Sequence, residues 1–386
     1  MLGRLAAGLV FGLAFPEWSR PLAPVAEIFL RLLRAIVAPL LFGMLVTALG
    51  GAGSLRSVGR LGLRSVVYFE AVTAVALVIG WGVVTLLAPG AGVALRAAET
   101  APAVERPTVA SVVVNAFPSS VLDAMARGDV LQIVVFCILF GLAAGAAGEK
   151  ARPLVQFAGS LAAVSFQFTR FLMYAAPAAI FAAIASSAAE NGVGMLAGLG
   201  KFVVAAWIAQ AAYVAVVLAP ALKIAGADWR RFWRAAREPV LVGFGTTSSA
   251  AAIPVALEHM EGYGVDRRVL GFVMPVGLSL NPAGSTIHLA MAAFFVAQAG
   301  GLELSAGQAA MILLTLKLTS KGVAGIPRAN FVILAALFDQ FGLPKEGLAL
   351  LLGVDAAIDP VRTGVNVLGH CVAPVVLQRW DREGRC

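Results

Sequence analysis

The sequence predicts an all-α polytopic membrane protein, with eight transmembrane helices and two re-entrant helical hairpins. Three observations carry this. Of the 386 residues, 60% are hydrophobic and only 13% charged, about half the charged share of a soluble domain, and mean hydropathy is +0.89. The apolar residues come in long runs, whereas an outer-membrane barrel shows alternation in segments of about ten residues. In the C-terminal half these runs are interrupted at membrane depth by Gly, Ser, Thr, Asn and Pro, in GFGTTSSAAAIP, GLSLNPAGS and TSKGVAGIPRAN. Irregular backbone survives there only when buried in protein or lining a watery cavity, so the breaks predict hairpins and a discontinuous helix.

Residues 3–15 form the first helix, closed by Pro16 and the polar PEWSRP. MLGRLAAGLVFGLAF resembles a signal peptide, but it lacks a small-x-small cleavage site and runs on into further apolar segments, so it reads as a span. Residues 22–49 form the second helix, with Arg31 and Arg34 near its start, where long side chains snorkel to water. The basic loop GGAGSLRSVGRLGLR follows and belongs in the cytoplasm by the positive-inside bias. Residues 65–88 are the third helix, with Glu70 deep in it. The polar excursion 89–128 has mixed charge and suits the outside. Residues 129–148, 153–187 and 196–224 are the fourth to sixth helices, and the run DWRRFWRAAR, residues 228–237, returns to the cytoplasm. A first hairpin at 239–263, a broken seventh helix at 268–298, a second hairpin at 306–343 and an eighth helix complete the chain. Segments 239–298 and 306–380 read as an inverted repeat. This order places the protein in the inner membrane, multi-pass, with both termini cytoplasmic.

The net charge of +8 is concentrated in GRLGLR, WRRFWRAAR and DRR. These short runs flank membrane segments, so they fit cytoplasmic loops and exclude a nucleic-acid partner. Cys137, Cys371 and Cys386 show neither disulfide nor metal-ligand spacing, and neither a metal nor a cofactor is expected.

The segment Gly353–His370 stands out in this apolar chain. Asp355, Asp359, Arg362, Asn366 and His370 lie at offsets 0, 4, 7, 11 and 15, which fall on one helical face about 22 Å long at ~1.5 Å per residue. Ionisable groups at membrane depth cost roughly 2.5–3.5 kcal/mol each on insertion scales, so they need partners and mark a transport path or a ligand site. Arg362 offers a rigid fork that matches a carboxylate; the competing reading is an ion pair with Asp355 or Asp359 that satisfies itself.

TTSSAAAIP, GLSLNPAGS, TSKGVAGIP and GVDAAIDPVRTGVNVLGH resemble, in order, the four signature regions of the dicarboxylate/amino acid:cation symporters, the glutamate transporter family, and VGRLGLRSVVYFE is similar to the loop and third helix of bacterial members. The resemblance covers nearly the whole chain. It implies a homotrimer of elevator-type carriers. Residues 1–64 would supply scaffold helices 1 and 2, 65–88 helix 3 of a mobile transport domain, 89–187 the extracellular excursion with scaffold helices 4 and 5, and 188–386 the rest of the transport domain. It implies that Arg362 holds a side-chain carboxylate of the substrate, Asp359 its α-amino group, and Thr363 and Asn366 its main-chain carboxylate and amine. Ser249 and Ile326 join the substrate set, as does Ser285, where a threonine is common. For isolated Ser and Thr the competing reading is a bond back to their own helix. The second hairpin tip, with Lys321, Gly322, Gly325, Pro327 and Arg328, would be the gate; Arg328 departs from the small residues typical there.

Departures from the family pattern bear on the coupling ion. The motif usually reading NMDGT is NPAGS here, so an aspartate has become Ala283 and a methionine Pro282. A second family aspartate is His370, and a third-helix tyrosine, threonine and serine are Phe69, Val72 and Thr73. Neutral imidazole is a poor sodium ligand and a good proton carrier near neutral pH. The expectation is a sodium-independent, proton-coupled carrier of a small anionic acidic amino acid, with Glu70, His370 and His288 as candidate proton carriers. The alternatives are a C4-dicarboxylate symporter, supported by Lys321 and the bacterial-type third helix, and a sodium-coupled carrier using the carbonyls of Ser279, Ser320 and Val323. An intramembrane enzyme using Asp355, Asp359 and His370 is the competing class, but no nucleophile–base pair or metal cluster is evident.

Overall fold

In a computed structural model, the described residues are 2–50, 55–93, 95, 117–127, 130–191, 194–320 and 330–383, and among them there is no strand. The N-terminal helices are α1 (Leu2–Ala14), the short α2 (Pro16–Ser19), α3 (Ala23–Ala35) and α4 (Val37–Gly50). The expected single second helix is thus two. Pro39 offers no amide to the carbonyl of Ala35 and its ring crowds that carbonyl, which places the interruption at Ile36. Next comes α5 (Leu55–Leu87), which starts ten residues before the expected third helix. The expected basic loop is therefore largely its first turns: Leu and Arg are good helix formers and isolated glycines do not stop them.

The excursion after α5 contains a tight turn and the helix α6 (Val121–Arg127). Then α7 (Val130–Ala147) and the 40-residue α8 (Arg152–Asn191) pack with α1, α3 and α4 as one group of helices. The stretch expected as the sixth helix is α9 (Gly194–Tyr213), continued through a π-helical turn, Val214–Leu218, into α10 (Ala219–Ile224).

The first hairpin consists of α11 (Trp229–Thr246) and α12 (Ser249–Tyr263). It begins ten residues earlier than expected, so WRRFWRAAR is helix and not loop. Asp228 starts it as N-cap, accepting from the amide of Arg231 at 2.9 Å, a bond that holds its carboxyl below the usual range. The reversal falls at Thr247, in left-handed geometry with φ 50°, and Ser248 caps the second arm by accepting from Ala251.

The expected broken helix is present as α13 (Arg267–Leu280) and α14 (Ala283–Ala299), interrupted at Asn281–Pro282. Three stretches are long and apolar enough to cross a membrane among the described residues, and of these Arg267–Ala299 is 89% buried in its most apolar window against 33% for Leu61–Leu87 and 39% for Ala197–Ile224. The broken helix is the centre of the molecule. The arms of the second hairpin are α15 (Ala306–Thr319) and α16 (Asn330–Gln340), and α17 (Glu346–Glu383) closes the chain. The reversal between α15 and α16 lies outside the described residues.

Around α14 pack α5, α9, α15, α16 and α17. The end of α5 is locked to the end of α14: Gln298 donates to the Val84 carbonyl at 3.0 Å and accepts from the Gly90 amide at 3.2 Å, and the Leu95 amide donates to the Ala299 carbonyl at 2.9 Å.

Candidate functional site

The polar face of α17 is buried along its length. Asp355, Arg362, Thr363, Asn366 and His370 are each 5% exposed or less, and Asp359 is 9% exposed. Charges this deep require partners, and the helix spacing supplies them. Arg362 donates from Nη1 to Asp355 Oδ1 at 3.0 Å and from Nη2 to Asp359 Oδ1 at 2.5 Å. Thr363 Oγ1 donates to the same Asp359 oxygen at 3.3 Å. The ion pairs weighed against a ligand role are therefore formed, yet they use two of the five guanidinium N–H donors. The cluster of one arginine and two aspartates carries a formal charge of −1.

One turn further, Asn366 reaches across to the break in the seventh helix. Pro282, the residue before α14, makes no side-chain cap, so the first amides of that helix need acceptors from elsewhere. Asn366 Oδ1 accepts from the Gly284 amide at 2.8 Å and the Ser285 amide at 3.3 Å, and its Nδ2 donates to Ser285 Oγ at 3.1 Å. Gln210 on α9 donates to the Gly284 carbonyl at 2.9 Å. Glycine is required at 284 by proximity: an added Cβ would collide with the Arg362 carbonyl oxygen and meet Gln210 Oε1 at 3.0 Å. The site residues Asp359, Arg362, Thr363, Asn366 and Ser285 are thus brought together by two helices in contact.

The first hairpin lies over the same stretch. Val240 and Phe244 border Gly364, and a Cβ at Gly243 would meet Val367 at 2.6 Å and Thr363 at 3.7 Å. Ser249 follows the reversal as the first residue of α12 and is buried. The Trp207 indole on α9 donates to the Ala357 carbonyl at 3.0 Å, just before Pro360.

His370 sits at the other end of the stripe. The face of Gly277 in α13 is covered by Phe69 and by His370 Nδ1, and Asn281 flanks Gly369. Neither ring nitrogen of His370 has a hydrogen-bond partner among the described residues, nor does Asn281 Oδ1. His288, one turn along α14 from Ser285, is fully buried between Phe202 and Phe331 with both nitrogens likewise unpartnered among the described residues. Glu70 lies elsewhere, on α5, 2.9 Å from the ammonium of Lys317. The residues expected to form the gate, Lys321, Gly322, Gly325, Pro327 and Arg328, together with Ile326, lie outside the described residues.

Two residues escaped the sequence reading. Gln210 was visible as a lone amide deep within the apolar stretch 197–224, and Lys317 as a cation inside the arm AMILLTLKLT; each is the kind of polar intrusion that marks a partner across a helix interface.

Residues 1–380 match the family model of the sodium:dicarboxylate symporter family. A proton/sodium-glutamate symport protein of Geobacillus stearothermophilus is 33% identical over 98% of this chain and 93% of its own. A C4-dicarboxylate transport protein of Anaeromyxobacter sp. (strain K) is 38% identical over 97% of this chain and 88% of its own. A proton/glutamate-aspartate symporter of Bacillus subtilis (strain 168) is 34% identical over 99% of this chain and 94% of its own. With matches of this extent joined to a buried arginine–aspartate stripe facing a broken helix, the chain belongs to the sodium:dicarboxylate symporter family.

Proposed function

We propose that this chain is a secondary active transporter of acidic amino acids, aspartate or glutamate, in the inner membrane, coupled to protons and independent of sodium. The observation that carries the substrate is the buried pairing of Arg362 with Asp359. An acidic amino acid brings two carboxylates and one ammonium. One carboxylate takes the free donors of Arg362, bidentate geometry being what a guanidinium offers. The ammonium takes Asp359, which releases part of its hold on Arg362. The remaining carboxylate meets Thr363 and Asn366 at the N-terminal end of α14, where the helix dipole favours an anion, with Ser285 and Ser249 beside it. Ile326 and the gate residues Lys321, Gly322, Gly325, Pro327 and Arg328 would close over it. The names of the Geobacillus and Bacillus relatives point the same way.

Sodium independence is supported by what stands at the family's acidic positions: Ala283 and His370 are buried and uncharged or titratable in place of carboxylates, and Phe69 and Val72 are apolar. Of the candidate proton carriers, Glu70 is held by Lys317, so His370 and His288, whose ring nitrogens have no hydrogen-bond partner among the described residues, are the proposed carriers. In this reading the protein is a homotrimer surrounded by lipid, both termini face the cytoplasm, and residues 65–88 with 188–386 move as the elevator against a scaffold of 1–64 and 89–187.

A C4-dicarboxylate carrier is the second reading, favoured by the 38% identity to the Anaeromyxobacter protein. A dianion lacking an amine would leave Asp359 facing a negative ligand. Competition for binding separates the two. L-aspartate displacing a labelled acidic substrate while succinate does not supports the amino acid reading; the reverse overturns it.

A further inference from the structure

We propose that the first turns of α11 form a docking surface for the headgroups of anionic phospholipids. Phe232, Ala236 and Pro239 turn one side of this helix into the protein, where they are buried. Trp229 and Trp233, one turn apart, are 42% and 41% exposed and stack with ring centroids 6.3 Å apart at 10°. Arg230, Arg234 and Arg237 are all exposed, and their i, i+4, i+7 spacing puts them on one face. At ~100° per residue the tryptophan row lies between the buried row and the arginine row. Polarity therefore climbs in order around the helix, from core to aromatic ring to cation. None of the three arginines is in an ion pair among the described residues. The acids on either side are engaged elsewhere: Asp228 accepts from the Arg231 amide, and Glu238 Oε2 lies 3.3 Å from His259 Nε2. Arg231 faces away, donating to the Tyr263 carbonyl at 3.0 Å with its guanidinium over the Tyr263 ring.

Depth in the membrane selects the occupant. The apolar stretch Ala197–Ile224 is long enough to cross a bilayer, and only four residues, Ala225 to Asp228, separate its end from Trp229. The two indoles thus stand where a span leaves hydrocarbon, the level at which tryptophan collects. The arginines, further round the helix, stand at the headgroups, where each cation strengthens attachment to an anionic leaflet by roughly fivefold. A free anion would engage the arginines and leave the aromatic shelf without a role, whereas a charged headgroup on its acyl chains uses both. The same helix ends at Thr246, after Gly243 has passed Val367 and Thr363, so lipid surface and site share one element about 27 Å long at ~1.5 Å per residue. Recognition of the lipid is independent of which substrate is carried.

The test uses the full-length protein in phosphatidylcholine vesicles that carry a small fraction of brominated phosphatidylglycerol or, separately, of brominated phosphatidylcholine, each of which quenches tryptophan emission on contact. Subtracting the emission of a Trp229→Phe/Trp233→Phe protein isolates these two rings among the six tryptophans. At low salt this component is expected to be quenched roughly threefold or more in favour of phosphatidylglycerol, and the preference should shrink toward one at ~0.5 M salt, where surface charge is screened. Arg230→Gln/Arg234→Gln/Arg237→Gln is expected to remove the preference while quenching by phosphatidylcholine persists, and lysine at the same three positions should retain it. Arg267→Gln with Arg268→Gln, a loss of exposed charge at another turn, should leave it intact. Equal quenching by the two lipids in the wild type overturns the surface, as does quenching by neither. A preference that survives the triple glutamine variant, or that falls as far in the Arg267/Arg268 variant, overturns it too. If the triple glutamine variant does not fold, the salt series of the wild type decides: a preference undiminished at high salt overturns the assignment. No substrate enters this readout, so failure of the carrier reading does not register in it.

Discussion

The side-chain oxygen of Asn366 caps the amide of Gly284 at 2.8 Å, joining the middle of the last helix to the start of the second half of the broken one. The bond does for α14 what its own preceding residue, Pro282, does not. It also places the polar stripe of α17 at a helix N-terminus, where an anion is favoured. Asn366→Ala should therefore lower stability by about 1–3 kcal/mol, the cost of leaving buried amides unsatisfied, and weaken substrate binding at the same time. Thermal unfolding in detergent, read beside a binding titration, checks both; an unchanged unfolding midpoint would show that these amides have another acceptor.

The same junction leaves no room at position 284. A methyl group there would meet the Arg362 carbonyl and the side chains of Gln210 and Asn366. Gly284→Ala is expected to cost about 1–3 kcal/mol by overpacking and to separate α14 from α17. Equal unfolding midpoints for variant and wild type would contradict the close approach.

Much of this arrangement was legible in the sequence. The polar stripe of α17 was readable from spacing alone, because charges at membrane depth are too costly to be incidental. The break at Asn281–Pro282 and the first hairpin were readable from Gly, Ser and Pro inside apolar runs. What escaped was of two kinds. Boundaries moved where a helix carries a basic face: Leu55–Arg64 and Trp229–Arg237 read as loops by charge and are helices. Pairings across the fold, Gln210 with Gly284 and Lys317 with Glu70, join residues 74 and 247 positions apart, and no local pattern announces which partner a lone amide or lysine will find.

Arg362→Lys keeps the charge and loses the fork. Charge-assisted hydrogen bonds contribute about 1.5–3 kcal/mol, so affinity for the acidic substrate should fall by about ten- to a hundredfold. Calorimetric titration measures it, and affinity within twofold of wild type would remove Arg362 from the site.

Asp359→Asn should act on selectivity. Without the carboxylate proposed to face the ammonium, binding of aspartate is expected to weaken more than binding of succinate, so the ratio of their dissociation constants shifts toward the dicarboxylate. A ratio left unchanged would mean that Asp359 serves only to hold Arg362.

His370→Gln keeps a buried polar group of similar length and removes the titratable ring. Uptake is expected to lose its response to an imposed pH gradient while substrate binding at fixed pH persists within about threefold, a difference under 1 kcal/mol. Retention of the full pH response would move the proton to His288 or to another group.

The most direct measurement of the central claim is uptake of labelled aspartate into proteoliposomes on which sodium and proton gradients are imposed independently. Accumulation driven by an inward proton gradient, and equal in sodium and choline media, is the expected result. Strict dependence on external sodium, with no response to the proton gradient, would contradict the account.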